Sequence, residues 1–179
     1  FSFVPTLPED WLVISFRAPK DSSYGGYAWF DIDFNNAENF VDENEPNEAV
    51  KLVLENIMGV TNRYGLTDNK THLCGFSQGG MIAYSLALQY PDLFSKVACL
   101  SSYPEEKLLK NIDRNKKKYE NMRFFISHGT EDAVIPLEWG RKAADLLYDL
   151  SAYFSFREYM SGHGVNQKNY LDLMDFFKK

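Results

Sequence analysis

Short apolar runs alternate along the chain with longer stretches in which apolar residues recur every three or four positions. The first pattern fits strands buried on both faces, and the second fits helices with one apolar side. Trp11-Leu12-Val13-Ile14-Ser15-Phe16 predicts a buried strand that stops at Pro19. Residues 71–76, 97–101, 123–127 and 154–159 predict four more, the last alternating as an edge strand does. Between them, Val50, Val53, Leu54, Ile57 and Met58 predict a helix over 46–63, with Pro46 in its first turn and Asn44 as its cap. Residues 81–90 are small and apolar throughout and predict a helix buried on most sides, ended by Pro91. The mostly charged stretch 105–121 predicts a surface helix. Two further helices are predicted over 136–150 and over 166–179, where Tyr170, Leu171, Leu173, Met174 and Phe177 keep helical spacing. Strands alternating with helices imply a mostly parallel sheet covered on both faces. No repeat or linker divides the chain, so one α/β domain is expected over residues 1–179.

Charge and composition narrow the function. With 19 Lys+Arg against 25 Asp+Glu the formal net charge is −6. That balance argues against nucleic acid or an anionic membrane surface as the main partner, since both need clustered cations. The one basic cluster, Lys116-Lys117-Lys118, sits in a charged stretch and reads as a solvated face. No apolar run reaches the roughly 18 residues of a membrane span, and no charged-then-apolar leader opens the chain, which begins at Phe1. Two cysteines, Cys74 and Cys99, each lie inside an apolar run. They make no disulfide framework and fit a reducing, cytoplasmic setting.

Parallel sheets carry their ligands at the carboxyl ends of the strands. There the chain places Gly75-Phe76-Ser77-Gln78-Gly79, a G-x-S-x-G between an apolar strand and an Ala-containing helix. Such a turn lifts the serine to the sheet rim, and the flanking glycines give room for strained backbone and close strand–helix contact. The Gln78 backbone N–H then faces a developing oxyanion at the helix N-terminus. By itself the five-residue pattern is weak, because average Gly and Ser usage yields it by chance in roughly one chain in fifteen of this size. Its setting is what raises it.

A serine hydroxyl needs a general base. Of three histidines, His72 lies within a strand and points away from the rim, while His128 in Ser127-His128-Gly129 is read as shaping its turn. His163 sits past the last strand in Ser161-Gly162-His163-Gly164 and is the predicted base. Asp132 is the predicted carboxylate that orients it, with the neighbouring Glu131 as its rival. The order Ser77, Asp132, His163 is that of the α/β-hydrolases and not of the chymotrypsin or subtilisin folds.

The chain resembles the phospholipase/carboxylesterase family, which includes acyl-protein thioesterases and small carboxylesterases. The match rests on Gly75-Phe76-Ser77-Gln78-Gly79-Gly80, on His128-Gly129-Thr130-Glu131-Asp132 with Val134 and Pro136, and on Gly162-His163-Gly164. Ala18-Pro19 and Trp29-Phe30-Asp31 are similar to the segments that lead into the family's acyl pocket. The resemblance implies a compact α/β-hydrolase with Ser77 as nucleophile, His163 as base, Asp132 as its orienter and Gln78 as an oxyanion donor. Trp29 and Phe30 would line the substrate site. It also implies a strand ending in a Leu-His-Gly-x-Gly-like loop, the source of the other oxyanion N–H, which this chain does not carry. Phe1 to Pro8 reads as the end of the helix that would follow, so the chain is expected to lack its first strand. Losing one such donor costs about 10²–10³ in rate.

Other signals are discounted. Asp31-x-Asp33-x-Asn35-Asn36 with Asp42 is similar to a calcium loop, but Asn36 stands where glycine is needed and no helix precedes it. No Cys/His grouping has zinc spacing, and Gly25-Gly26 is too short to cradle phosphate. The aromatic residues Tyr24, Tyr27, Trp29 and Phe30 are read as pocket lining, with plain core as the alternative. The expectation is a serine hydrolase without metal or cofactor, acting on a small ester or thioester, a lysophospholipid, or an acylated protein. Two alternatives stand beside it: a non-catalytic binding domain on the same fold, and a peptidase or acyltransferase with the same triad. Oligomeric state is left open, a homodimer included.

Overall fold

A computed structural model describes residues 6–22, 25–32, 44–66, 71–109 and 111–179. Four strands, β3 (Thr71–Phe76), β4 (Phe94–Leu100), β5 (Arg123–Gly129) and β6 (Tyr153–Tyr159), pair in the order β3-β4-β5-β6, every pair parallel. Parallel neighbours need a crossover, and here α2 (Gln78–Gln89) and α3 (Leu137–Asp149) supply two of them. α1 (Glu45–Arg63) precedes the sheet and α4 (Gln167–Lys178) closes the chain. A separate antiparallel ladder of two residues per strand, β1 (Lys20–Asp21) with β2 (Tyr27–Ala28), sits ahead of α1. Gly25 and Gly26 close it with φ of 88° and 77°, values that only glycine adopts without strain.

The two-residue period of the strands divides the core. Val97, Cys99, Phe124 and Ile126 face one cluster with Val53, Leu86 and Leu147 of the helices α1, α2 and α3. Ala98, Leu100 and Phe125 face the other, with Leu173, Met174 and Phe177 of α4. Both faces of the sheet are therefore covered, as the alternating pattern predicts. Nine residues of α2, Gly80 to Leu88, are buried, which accounts for its all-round apolar sequence. Asn166 caps α4, its side chain accepting from the Asn169 N–H at 2.9 Å. Asn44, predicted to cap α1, makes no side-chain cap bond.

Two elements differ from expectation. The run 11–16 pairs with no strand among the described residues, and Leu12 and Ile14 are exposed. Trp11 packs on His72 of β3 with ring centroids 5.1 Å apart, and the run lines a cleft of about 990 Å³ together with β3, Ile82, Leu86, Met174 and Phe177. The run thus meets β3 through side chains, with no backbone ladder between them among the described residues. The stretch 105–121 is not one helix but two short 3₁₀ turns, Glu106–Leu108 and Lys116–Tyr119. Glu105 and Asn115 each cap a turn by accepting from the backbone two residues on, and Leu108 and Tyr119 anchor the turns in the core. Side chains that satisfy nearby backbone in this way compete with a continuous helix.

Candidate active site

The carboxyl ends of β3, β5 and β6 open on one rim, and the turns beyond them carry Ser77, Asp132 and His163. Ser77 is the hinge between β3 and α2, with φ 54° and ψ −120°. A non-glycine residue in this region costs on the order of 1–3 kcal/mol and persists only where its surroundings hold it. They do so at both ends. The Ser77 N–H donates to the Leu100 carbonyl at 2.9 Å, and its own carbonyl accepts from the Gly80 N–H at 2.9 Å and the Ser102 hydroxyl at 2.8 Å. The glycines divide the work unequally. A Cβ on Gly75 would stand 2.1 Å from the Gly79 carbonyl oxygen, and one on Gly80 would stand 2.4 Å from the Ser102 Cβ. One on Gly79 would meet nothing within 4 Å, because that position faces the cleft. The close strand–helix approach thus rests on Gly75 and Gly80.

Asp132 follows β5 and turns its carboxylate inward. Oδ1 accepts from the Val134 and Ile135 N–H groups, each at 2.9 Å, and Oδ2 lies 2.8 Å from His163 Nδ1. Burial pushes this carboxyl up, but the bonds from Ile135, His163 and Val134 outweigh it and hold it below the usual carboxylate value. The carboxylate on Oδ2 fixes His163 with its proton on Nδ1, leaving Nε2 as the acceptor a general base requires. The Phe76 ring, beside the Ser77 turn, packs on the imidazole with centroids 4.8 Å apart. No hydrogen bond joins the Ser77 hydroxyl to His163 among the described residues, and such bonds commonly close only around substrate. Glu131, the rival orienter, is exposed and contributes its backbone N–H to the Ser161 carbonyl at 3.0 Å, which ties the Asp132 turn to the His163 turn.

The other histidines are structural. His128 is wholly buried, its Nε2–H donating to the Ile135 carbonyl at 2.9 Å, so it braces the turn that presents Asp132. His72 accepts from the Lys96 N–H at 3.3 Å and packs on Trp11 and Phe177, away from the rim.

Trp29 lines the cleft together with Phe76, Ser77 and Gln78. Phe30 does not: its side chain is 0% exposed within the main core, so the reading of Phe30 as a substrate-contacting residue is corrected. Tyr24 and most of the acidic run, including Asp33, Asn35, Asn36 and Asp42, lie outside the described residues. Asp31 is bound at 2.7 Å to Lys20, which also pairs with Glu45. Gln78 does more than its sequence position foretold. Its carboxamide Oε1 accepts from the Trp29 N–H at 2.9 Å, and Nε2 donates to the Phe30 carbonyl at 2.8 Å.

Compared with known proteins, residues 11–179 match the model of the Phospholipase/Carboxylesterase family. The chain belongs to that family. It is 27% identical over 142 residues to Carboxylesterase SOBER1 of Arabidopsis thaliana, covering 78% of this chain and 60% of that protein. It is 30% identical over 132 residues to Acyl-protein thioesterase 1 of Cryptococcus neoformans, covering 70% of this chain and 53% of that protein. The chain thus spans little more than half the length of these relatives. The crystal structure of esterase PE8 superposes with a TM-score of 0.76 at 24% identity, over 90% of this chain and 75% of that one. That of Arabidopsis thaliana SOBER1 gives 0.65 at 22% identity, over 90% and 80%. At such identities the two structures establish the α/β-hydrolase fold. No helix among the described residues is long and apolar enough to cross a membrane.

Proposed function

We propose that this chain is a serine hydrolase that cleaves carboxylic esters or thioesters through an acyl-enzyme. The observation that carries the reading is the buried Asp132 carboxylate bonded to His163 on the rim where Ser77 is held in a strained strand–helix turn. Ser77 Oγ attacks the acyl carbon while His163 Nε2 takes its proton, and Asp132 stabilises the resulting imidazolium. The carbonyl oxygen becomes an oxyanion facing the Gln78 N–H, one of the helix-start donors that no intrahelical carbonyl can reach. The intermediate collapses, His163 returns the proton to the leaving alcohol or thiol, and water then repeats the sequence to free the acid. An acyl chain has an apolar path along the cleft past Trp29 and Phe76.

The similarity to a carboxylesterase and to acyl-protein thioesterases supports both ester and thioester substrates, an acylated protein among them. A fluorophosphonate probe tests the reading: the folded protein should be labelled, and Ser77→Ala should abolish labelling without unfolding. Absence of labelling in the folded protein would instead favour a binding domain on the same scaffold.

A further inference from the structure

The Gln78 carboxamide presents an acceptor oxygen and a donor NH2 group, and both bond to the same short stretch of backbone. It reads the Trp29 N–H and the Phe30 carbonyl and makes no other hydrogen bond among those described. That stretch is held at two further points. The Phe30 ring is buried in the core, and the Asp31 N–H donates to Glu45 at 3.1 Å while the Asp31 carboxylate pairs with Lys20 at 2.7 Å. Of the residues so fixed, Trp29 is the one whose side chain reaches the cleft that Ser77 and Gly79 also line. The wall of the cleft is therefore bolted to the residue directly after the nucleophile. Moving the Trp29 backbone relative to Ser77 means breaking these carboxamide bonds.

We propose that the Gln78 side chain is a positioning residue that sets the gap between Trp29 and the Ser77 hydroxyl, and so determines which acyl chains the enzyme accepts. This rests on the hydrolase reading above and deepens it. The role is separate from the oxyanion contact, which belongs to the Gln78 backbone N–H and is kept in Gln78→Glu and Gln78→Met.

Gln78→Glu makes the clamp titratable. A neutral carboxyl can still accept from the Trp29 N–H and donate to the Phe30 carbonyl, whereas a carboxylate has no proton for that carbonyl and repels it. The selectivity ratio, kcat/KM for p-nitrophenyl octanoate over p-nitrophenyl acetate, should be measured from pH about 4 to about 8, either side of the ordinary carboxyl range. Ionisation of the shared catalytic groups acts on both esters alike and cancels in the ratio. In the unsubstituted protein the ratio should stay level; in Gln78→Glu it should move by about tenfold as pH rises, roughly the worth of one buried hydrogen bond. Gln78→Met, which lacks both partners, should give the displaced ratio at every pH. A level ratio in Gln78→Glu that equals the unsubstituted one would overturn the proposal. A readout independent of turnover separates this from failure of the hydrolase reading. With Trp11→Phe and Trp139→Phe, Trp29 is the sole tryptophan, and its quenching by acrylamide should rise with pH only when Gln78→Glu is also present. Quenching that ignores pH in that variant sinks the clamp, whether or not any ester is cleaved.

Discussion

Asp132 and His163, 31 positions apart in the chain, meet through a 2.8 Å contact between Oδ2 and Nδ1, and the other carboxylate oxygen is held by two backbone N–H groups. The carboxylate therefore has a single orientation, and through it so does the imidazole. Asp132→Asn keeps the size but presents an amide that can satisfy the ring in the wrong tautomer. It should lower kcat by about 10³–10⁴, and near neutrality it should also lower the melting temperature, because the depressed carboxyl stabilises the fold there. Steady-state rates and thermal melts on the same samples check both halves.

Acid should unfold the protein partly through its aspartates. Asp132 lies below the ordinary carboxyl value for the reasons given above, and Asp172 does so because the Tyr159 hydroxyl donates to it at 2.7 Å, with Arg157 adding to this against the opposing effect of burial. A carboxyl depressed in the folded state stabilises the fold above its unfolded value near 3.9, and that contribution is lost as pH falls through the folded value. Urea midpoints should therefore drop as pH falls below about 4. Asp172→Asn should flatten that drop while lowering stability near neutrality.

Three glycines around Ser77 should behave differently. Gly75→Ala and Gly80→Ala force contacts of 2.1 and 2.4 Å and should each cost about 1–3 kcal/mol or more in urea unfolding. Gly79→Ala meets no protein atom within 4 Å and replaces a glycine in a helix, so stability should hold or rise by about 0.5–1 kcal/mol. Equal losses at all three positions would contradict the unequal division of work described above.

The Ser102 hydroxyl donates to the Ser77 carbonyl at 2.8 Å and helps hold the strained turn. Ser102→Ala should cost about 1 kcal/mol of stability and slow fluorophosphonate labelling of Ser77 several-fold. A labelling rate that matches the unsubstituted protein would show the turn to be held without it.

At the far end of the chain, Asn166→Ala removes the bond to the Asn169 N–H that caps α4. The loss should be about 1 kcal/mol, read from the melting temperature, with ester turnover unchanged.

The residue pattern alone determined the strand–helix alternation, the parallel sheet with two covered faces, and the placing of Ser77, Asp132 and His163 just beyond β3, β5 and β6. These follow from local rules: side chains alternate with period two in strands, 3.6 in helices, and turn residues sit where strands end. The same rules failed at 11–16, where the sequence is apolar enough for a strand but the contact with β3 runs through the Trp11 and His72 rings and not through a backbone ladder. They failed again at 105–121, where Asn115 and Glu105 spend their side chains on nearby backbone. Tertiary structure alone decided that Phe30 is core while its neighbour Trp29 reaches the cleft, since adjacent aromatic residues in a loop carry no period to tell them apart. It also decided which backbone Gln78 grips. That partner lies 48 and 49 positions away, and a contact between segments so distant depends on how the whole sheet and its helices pack rather than on anything either segment encodes.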